Sequence, residues 1–283
     1  MHISSHPVLS LQDISCFGQC SLTVALPILS ACGLETVILP SAVLSTHTGG
    51  FSGFSFRDLT DDIPPIVAHW KKEGIRFGAF YTGYLGSARQ IDMALGIASD
   101  MLVERAPLVV DPAMADNGTL YGGFDGAFVR EMARLAAKAD YLLPNVTEAC
   151  LLTSTPYREP GAYDAAWIDS LLSGLGALGA KHVILKGVCL EEGFIRVLVR
   201  DTAAGTTETY RHERLPVSSH GTGDVFASAF TGALLRAHTP LGAVKIAADY
   251  VLECIRSTMD DPGHAYGVKF EPRIPDLLAA LRA

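Results

Sequence analysis

The stretch SSHGTGDVFASAF, residues 218–230, decides how this chain is read. Gly221 and Gly223 bracket Thr222, Asp224 follows, and an apolar run begins at once. Val225, Phe226, Ala229, Phe230, Ala233 and Leu234 recur at helical spacing, which predicts a core-facing helix over Thr222–Ala237. The first turn of a helix offers unpaired N–H groups and the positive end of the macrodipole. Glycines let a ligand come close to the backbone. Together these features describe an anion site with a carboxylate beside it. The same letters also spell a plain turn in which Asp224 merely complements the dipole, and by themselves they favour that simpler reading.

Working outward from that helix, strand-like and helix-like segments alternate along most of the chain. Strands are expected at 8–15, 36–44, 76–81, 107–110, 141–143 and 182–187, with a β-hairpin over 194–201 and 207–215. Helices are expected at 21–33 (Ser21 as N-cap, Pro27 as a kink), 61–73, from Ser87 to near Arg105, 125–139, 147–152, 164–178, 222–237 and 241–257, with a short one from Pro275. Residues 45–56 and 113–124 read as Gly-rich loops or flaps. This order implies an α/β fold, a mostly parallel central sheet with helices on both faces and a small β-flap. Neither a repeat nor a linker divides the chain, so residues 1–283 are expected to form one domain.

The 283 residues are 49% hydrophobic and 18% charged, enough apolar material for a large core. A net charge of −8 argues against a nucleic-acid surface or an anionic membrane as partner. Six scattered cysteines without a C-x-x-C pair read as reduced thiols. Cys16, Cys20 and His47 lack the paired spacing of a structural zinc site. No basic leader or long apolar span precedes the first strand, and a cytoplasmic protein is expected.

Ligands of open α/β sheets bind beyond the carboxyl ends of the strands. Asp13, His47, Thr48, Thr82, Tyr84, Asp111, Asn145, Glu148, Lys186 and Gly187 all fall there, together with Gly221–Asp224. No Gly-Lys dipeptide exists, which excludes a P-loop, and Phe226 stands where G-x-G-x-x-G would need a third glycine after Gly221 and Gly223.

The segments GQCSLTVALPILSACG, LSTHTGGF, YTGYLGS, VVDPAMADNGTLY, LLPNVTEA, LKGV and GTGDVFASAF occur in an order that resembles the pyridoxal kinase family of the ribokinase superfamily. The likeness runs from Val8 to Leu281 and is nearest to the bacterial pyridoxine/pyridoxal/pyridoxamine kinases. It implies a ribokinase-like fold and ATP-dependent phosphorylation of the 5′-hydroxymethyl group of vitamin B6 vitamers. Gly221, Thr222 and Gly223 match the anion hole for the transferring phosphate, and Asp224 matches the catalytic base. Asn145, Glu148, Lys186 and Gly187 match contacts around ATP. Asp111 and Glu148 match the magnesium environment, with potassium a further candidate. Thr48 and Tyr84 match the lining of the vitamin pocket, and 116–124 matches a flap over ATP. A homodimer is also implied.

Asp13 departs from the pattern, because better known relatives carry Ser after the matching Gln. An acid there suits hydrogen bonds to ring substituents or the aminomethyl cation of pyridoxamine. It equally suits a role in receiving loop N–H groups. Phosphorylation of hydroxymethylpyrimidine or a sugar is the alternative within the superfamily. A close variant of the site that uses Cys in place of Asp224 counts against the pyrimidine. A non-catalytic B6-binding protein is the other alternative, and the intact set of Asp111, Glu148, Lys186 and Asp224 counts against it.

Overall fold

A computed structural model describes residues 6–217 and 219–282. Strand β1 (Val8–Ser15) runs through helix α1 (Leu22–Ala31) into β2 (Thr36–Leu44), whose edge is paired by β3 (Phe56–Asp58). Helix α2 (Ile63–Lys72) leads to β4 (Ala79–Thr82), and α3 (Ala88–Met101) leads to β5 (Leu108–Val110). A short ribbon, β6 (Ala115–Asp116) and β7 (Thr119–Leu120), precedes α4 (Gly126–Ala136) and β8 (Tyr141–Leu142). Helices α5 (Val146–Leu152) and α6 (Ala165–Leu178) precede β9 (His182–Val188). The hairpin β10 (Phe194–Asp201) and β11 (Thr206–Glu213) follows, then α7 (Thr222–Leu235), α8 (Pro240–Thr258) and α9 (Ile274–Ala280).

The main sheet has the order β11-β10-β9-β8-β5-β4-β1-β2-β3. Strands β2, β1, β4, β5, β8 and β9 run parallel, as the strand–helix alternation predicts. The antiparallel strands β3, β10 and β11 occupy the edges. The chain steps from β1 out to β2, then crosses back to β4 on the other side of β1. Ligands gather at such a reversal of strand order.

Strands buried on both faces need side chains for two cores. Leu9, Leu11 and Phe80 pack with Ile63, Ile91, Met132, Ala149 and Leu171, so α2 to α6 cover one face. Val8, Tyr81 and Val109 pack with Ile28, Phe230, Val244 and Leu277, so α1, α7, α8 and α9 cover the other. That second face also receives polar groups: Ser10 and Gln12 of β1 are fully buried.

Several local expectations need correction. Ser21 stands at the N-cap position of α1, but it has φ 53° and its side chain caps nothing. Its hydroxyl turns to the carboxylate of Asp13 instead. Helix α3 is capped by Ser87 but stops at Met101, not near Arg105. There the Phe77 backbone takes over, with Phe77 N bonding Met101 O and Val103 N bonding Phe77 O, both at 3.0 Å. A G-x-G-x-x-G spacing does occur, at Gly174, Gly176 and Gly179, but it ends helix α6 and does not join a strand to a helix mouth.

Gln90 of α3 ties three segments together from a fully buried position. Its Nε2 donates to Ser41 O (2.9 Å) and Thr60 Oγ1 (2.8 Å), and its Oε1 accepts from Gly86 N (2.6 Å). Removing one partner of a buried pair leaves the other unsatisfied, so Gln90→Leu is expected to lower the unfolding free energy by about 2–4 kcal/mol. Urea denaturation at unchanged m checks this.

Candidate active site

The mouth of α7 is fixed by steric contact with the loop after β1. Gly221 has φ 77°, and a Cβ there would lie 1.7 Å from the Gln19 carbonyl oxygen. Only glycine allows both the conformation and the approach. Gly223 is different, because a Cβ there would meet nothing within 4 Å. Space is therefore open beside the first-turn N–H groups. Asp224 keeps some solvent contact but is ringed by protein. Burial pushes its carboxyl up to about 7, Asp111 and Asp13 add to the rise, and the Ser21 backbone N–H and Lys186 oppose it.

Acids and one base meet below this mouth. Lys186 Nζ lies 3.1 and 3.0 Å from the two carboxylate oxygens of Asp111. Burial works against the Lys186 charge, but Asp111 and Glu148 outweigh it and hold the ammonium protonated. Glu148 accepts N–H bonds from Met114 (3.1 Å) and Asn145 (2.8 Å), and it closes a capping box with Asn145 on α5. Burial and the Asp111 charge push Glu148 up to about 7. Among the described residues no group of three or more His, Cys, Asp or Glu side chains is arranged to hold a metal ion by itself.

On the β1 side lies Asp13, buried, with Ser15 Oγ donating to it at 2.9 Å. Burial raises its pKa, against the hydroxyls of Ser21 and Ser15 and the nearby His47. Tyr84 is half-buried, and its hydroxyl is pushed up to about 12 by burial, Asp13 and Asp58. The Tyr84 ring faces Phe124 at 5.5 Å, and Phe124 stacks on Phe128 at 3.9 Å. Thr48 sits exposed on the loop between β2 and β3. His47 uses both ring nitrogens locally: Nδ1 accepts from Gly49 N (3.1 Å), so Nε2 donates to Tyr266 O (2.9 Å).

On the other side a cavity of about 190 Å³ is lined by Asn145, Thr147, Lys186, Gly187, Cys189 and Arg214, among others. The ribbon β6–β7 is fastened at its rim. Gly118 N donates to Thr147 Oγ1 (3.0 Å), Asn145 Nδ2 donates to Ala115 O (2.8 Å), and Tyr157 lies against Gly118. Asn145 Oδ1 also accepts from Glu148 N (2.9 Å), so both ends of this side chain are engaged. Tyr121, from the end of the ribbon, has its hydroxyl pKa raised by burial and by Glu148, Asp116, Asp224 and Asp111.

Sequence reasoning placed Ser15 at the sheet edge beside Asp13 but gave no individual role at the site to Cys20, Ser21, Tyr121 or Arg214. Cys20, Ser21 and Tyr121 lie inside the quoted segments, but nothing local marks their roles, and each of the four reaches the site through contacts between distant segments. Only the ribbon itself, as a Gly-rich flap, was legible.

The sequence profile of the phosphomethylpyrimidine kinase family matches residues 67–268. A Lactobacillus plantarum pyridoxal kinase superposes with a TM-score of 0.89 at 32% identity, over 98% of both chains. A Bacteroides thetaiotaomicron protein assigned to the phosphomethylpyrimidine kinases and solved with pyridoxal gives 0.90 at 36% identity, over 96% of this chain and 95% of that one. A Bordetella avium pyridoxine/pyridoxal/pyridoxamine kinase is 28% identical over 94% of this chain and 93% of its own. The chain belongs to the phosphomethylpyrimidine kinase family and has a ribokinase-like fold. It is a kinase, and pyridoxal kinases stand among both its curated relatives and its solved structural neighbours.

The two glycines should separate in stability. Gly221→Ala is expected to destabilise the protein, since both the positive φ and the Gln19 carbonyl oppose a methyl group. Gly223→Ala is expected to raise stability by up to about 1 kcal/mol, as Ala favours a helix over Gly. Thermal melts of the two variants check the contrast.

Proposed function

We propose that the chain transfers the γ-phosphoryl group of ATP to the 5′-hydroxymethyl group of pyridoxal, pyridoxamine and pyridoxine. In this reading residues 1–283 form one kinase domain that works in the cytoplasm as a homodimer. The observation that carries it is the place of Asp224. It stands at the α7 mouth, electrostatically coupled to Asp13 on one side and to Asp111 and Lys186 on the other. A base so placed touches an alcohol bound on the β1 side while facing a phosphate arriving from the cavity side.

Phosphoryl transfer asks for positioning and charge compensation. The N–H groups of Gly221, Thr222 and Gly223 hold the migrating phosphoryl, and the open space beside Gly223 admits it. Asp224 orients the alcohol and takes its proton as the new P–O bond forms. The cavity takes the nucleotide. Lys186 and Gly187 line it, Asn145 lines it from the start of α5 with Glu148 bonded to Asn145, and Arg214 adds a guanidinium. Asp111 and Glu148 are hard oxygen donors, and each oxygen keeps a lone pair beyond the bond it already accepts. That donor set suits magnesium held partly through water and completed by phosphate oxygens. Magnesium would supply charge neutralisation there, and potassium is a second candidate ion. Tyr84 and Thr48 line the alcohol's side. Asp13 bonds the ring substituents and favours the aminomethyl cation of pyridoxamine.

Hydroxymethylpyrimidine is the competing alcohol, because the matching family profile is named for phosphomethylpyrimidine, the phosphorylated form of that alcohol. A coupled ADP-release assay with each vitamer and with hydroxymethylpyrimidine decides between them. B6-dependent turnover is expected. Turnover only with the pyrimidine, or none with any alcohol, would contradict the reading. Asp224→Asn should fold and bind ATP yet lose turnover by about 10²–10⁴. Since the base works deprotonated, wild-type turnover should climb with pH through about 7, the value to which Asp224 is pushed. A second comparison addresses Asp13. In Asp13→Ser the kcat/KM for pyridoxamine is expected to fall relative to pyridoxal and pyridoxine, and an unchanged ranking removes the assigned preference.

A further inference from the structure

The sheet face beneath α7 carries a knot of polar atoms in an otherwise apolar layer. Ser10 and Gln12 come from β1, Tyr81 from β4 opposite Ser10, and Ser228 from α7, all of them fully buried. Gln12 Nε2 donates to Ser10 Oγ at 2.9 Å, which leaves the buried Oε1 to find another partner. That oxygen lies across Gly83, where a Cβ would sit 2.5 Å from it. Burial and the charges of Asp111 and Asp224 push the Tyr81 hydroxyl pKa up, while the Ser228 and Gln12 side chains stand near enough to draw it down as hydrogen-bond partners, though at no geometry that closes a well-formed bond. Yet Gln12 Oε1, Tyr81 Oη and Ser228 Oγ reach no hydrogen-bond partner among the described residues.

Leaving one such atom unpaired costs about 1–3 kcal/mol. Apolar residues at these places would avoid the cost. The three atoms are an acceptor and two hydroxyls that both donate and accept, a set that matches one water molecule. Their place is specific. Ser228 follows Asp224 by four residues, so it lies one turn deeper on the same face of α7. The rest of the α7 face in this layer is apolar, with Val225, Phe226, Phe230 and Leu234 beside Ala227, Ala229 and Ala233, and apolar burial is non-directional. Hydrogen bonds are directional and fix where a helix sits along its axis.

We propose that Gln12, Tyr81 and Ser228 form a buried polar socket, completed by one water molecule, that sets the axial position of α7, and that Tyr81 is thereby a positioning residue for Asp224. This inference rests on Asp224 acting as the base of the proposed reaction. The Gly221 contact still holds the mouth, but losing the socket lets the turn between Asp224 and Ser228 shift behind it, and the carboxylate then meets the alcohol in poorer geometry.

The test uses Tyr81→Phe, Ser228→Ala and the double variant in the full-length protein, with melting curves, ADP-release kinetics and a high-resolution crystal structure of the wild type. The melting temperatures are expected to stay within a few degrees of wild type. The kcat is expected to fall about tenfold to hundredfold in each single variant, with KM for ATP and alcohol within about twofold. The double variant is expected to be no slower than the worse single one, because the groups act as a unit. The crystal structure is expected to show a water within about 3.2 Å of all three atoms. A kcat within about twofold of wild type in both single variants overturns the positioning role, and more so if the melting temperature rises, because the atoms are then only a burden. Direct bonds among the three side chains overturn the water. If Tyr81→Phe fails to fold, Ser228→Ala carries the kinetic test. A wild type inert toward every vitamer counts against the proposed reaction instead, and the crystallographic result still decides the socket.

Discussion

The contact between the α7 mouth and the loop after β1 governs the site. The Gln19 carbonyl occupies the space that any side chain at position 221 would need, and Gly221 holds a positive φ to permit it. Nearby contacts are equally close: a Cβ at Gly267 would press on Gln19, and one at Gly18 would press on the His47 ring. Missing side chains therefore let three loops converge on one point. The same contact brings the Ser21 backbone N–H to Asp224 and the Ser21 hydroxyl to Asp13. Ser21 gives up ordinary helix capping to do this, so local helix chemistry yields to the geometry of the site.

Charge is the second constraint. Asp13, Asp111, Glu148 and Asp224 influence one another at the carboxyl ends of the strands, with Lys186 as the ammonium among them. Burial makes the Asp13, Glu148 and Asp224 carboxylates costly to ionise, and the Asp111 charge adds to that cost for Glu148 and Asp224. A site with surplus carboxylates answers cations and proton donors. A nucleotide that arrives with a divalent ion and an alcohol that must lose a proton fit such a site. The Lys186–Asp111 pair keeps the ammonium at the junction, close to where the transferred phosphate would pass.

Asn145 links local structure to the nucleotide side of the molecule. One side-chain end caps α5 and the other anchors the ribbon β6–β7. Thr147 holds the ribbon's turn from the next helical position. The rim of the cavity and the start of α5 are thus one mechanical unit. Movement of the ribbon would register directly at Glu148, because Met114 N also bonds that carboxylate.

Much of the architecture was legible in the sequence because strand and helix periodicities are local. The eight apolar-rich residues of β1, the Ser87 cap, and the hairpin β10–β11 could be read without knowing any partner. The residues of the sheet edge were legible too, since open α/β sheets place ligand groups after their strands. Other features were not legible. Nothing local marks Ser21 as a partner of two acids, Arg214 as a wall of the cavity, or Tyr81 and Ser228 as a buried pair under α7. Residues that read as Phe77 and Val103 gave no sign of cutting α3 short. The sequence by itself determined the alternation, the helix mouth at Gly221–Asp224 and the acids available to it, because these follow from spacing along one chain. Only the tertiary structure decided which acids meet, which glycine serves packing and which leaves space open, because those depend on distances between segments far apart in the chain.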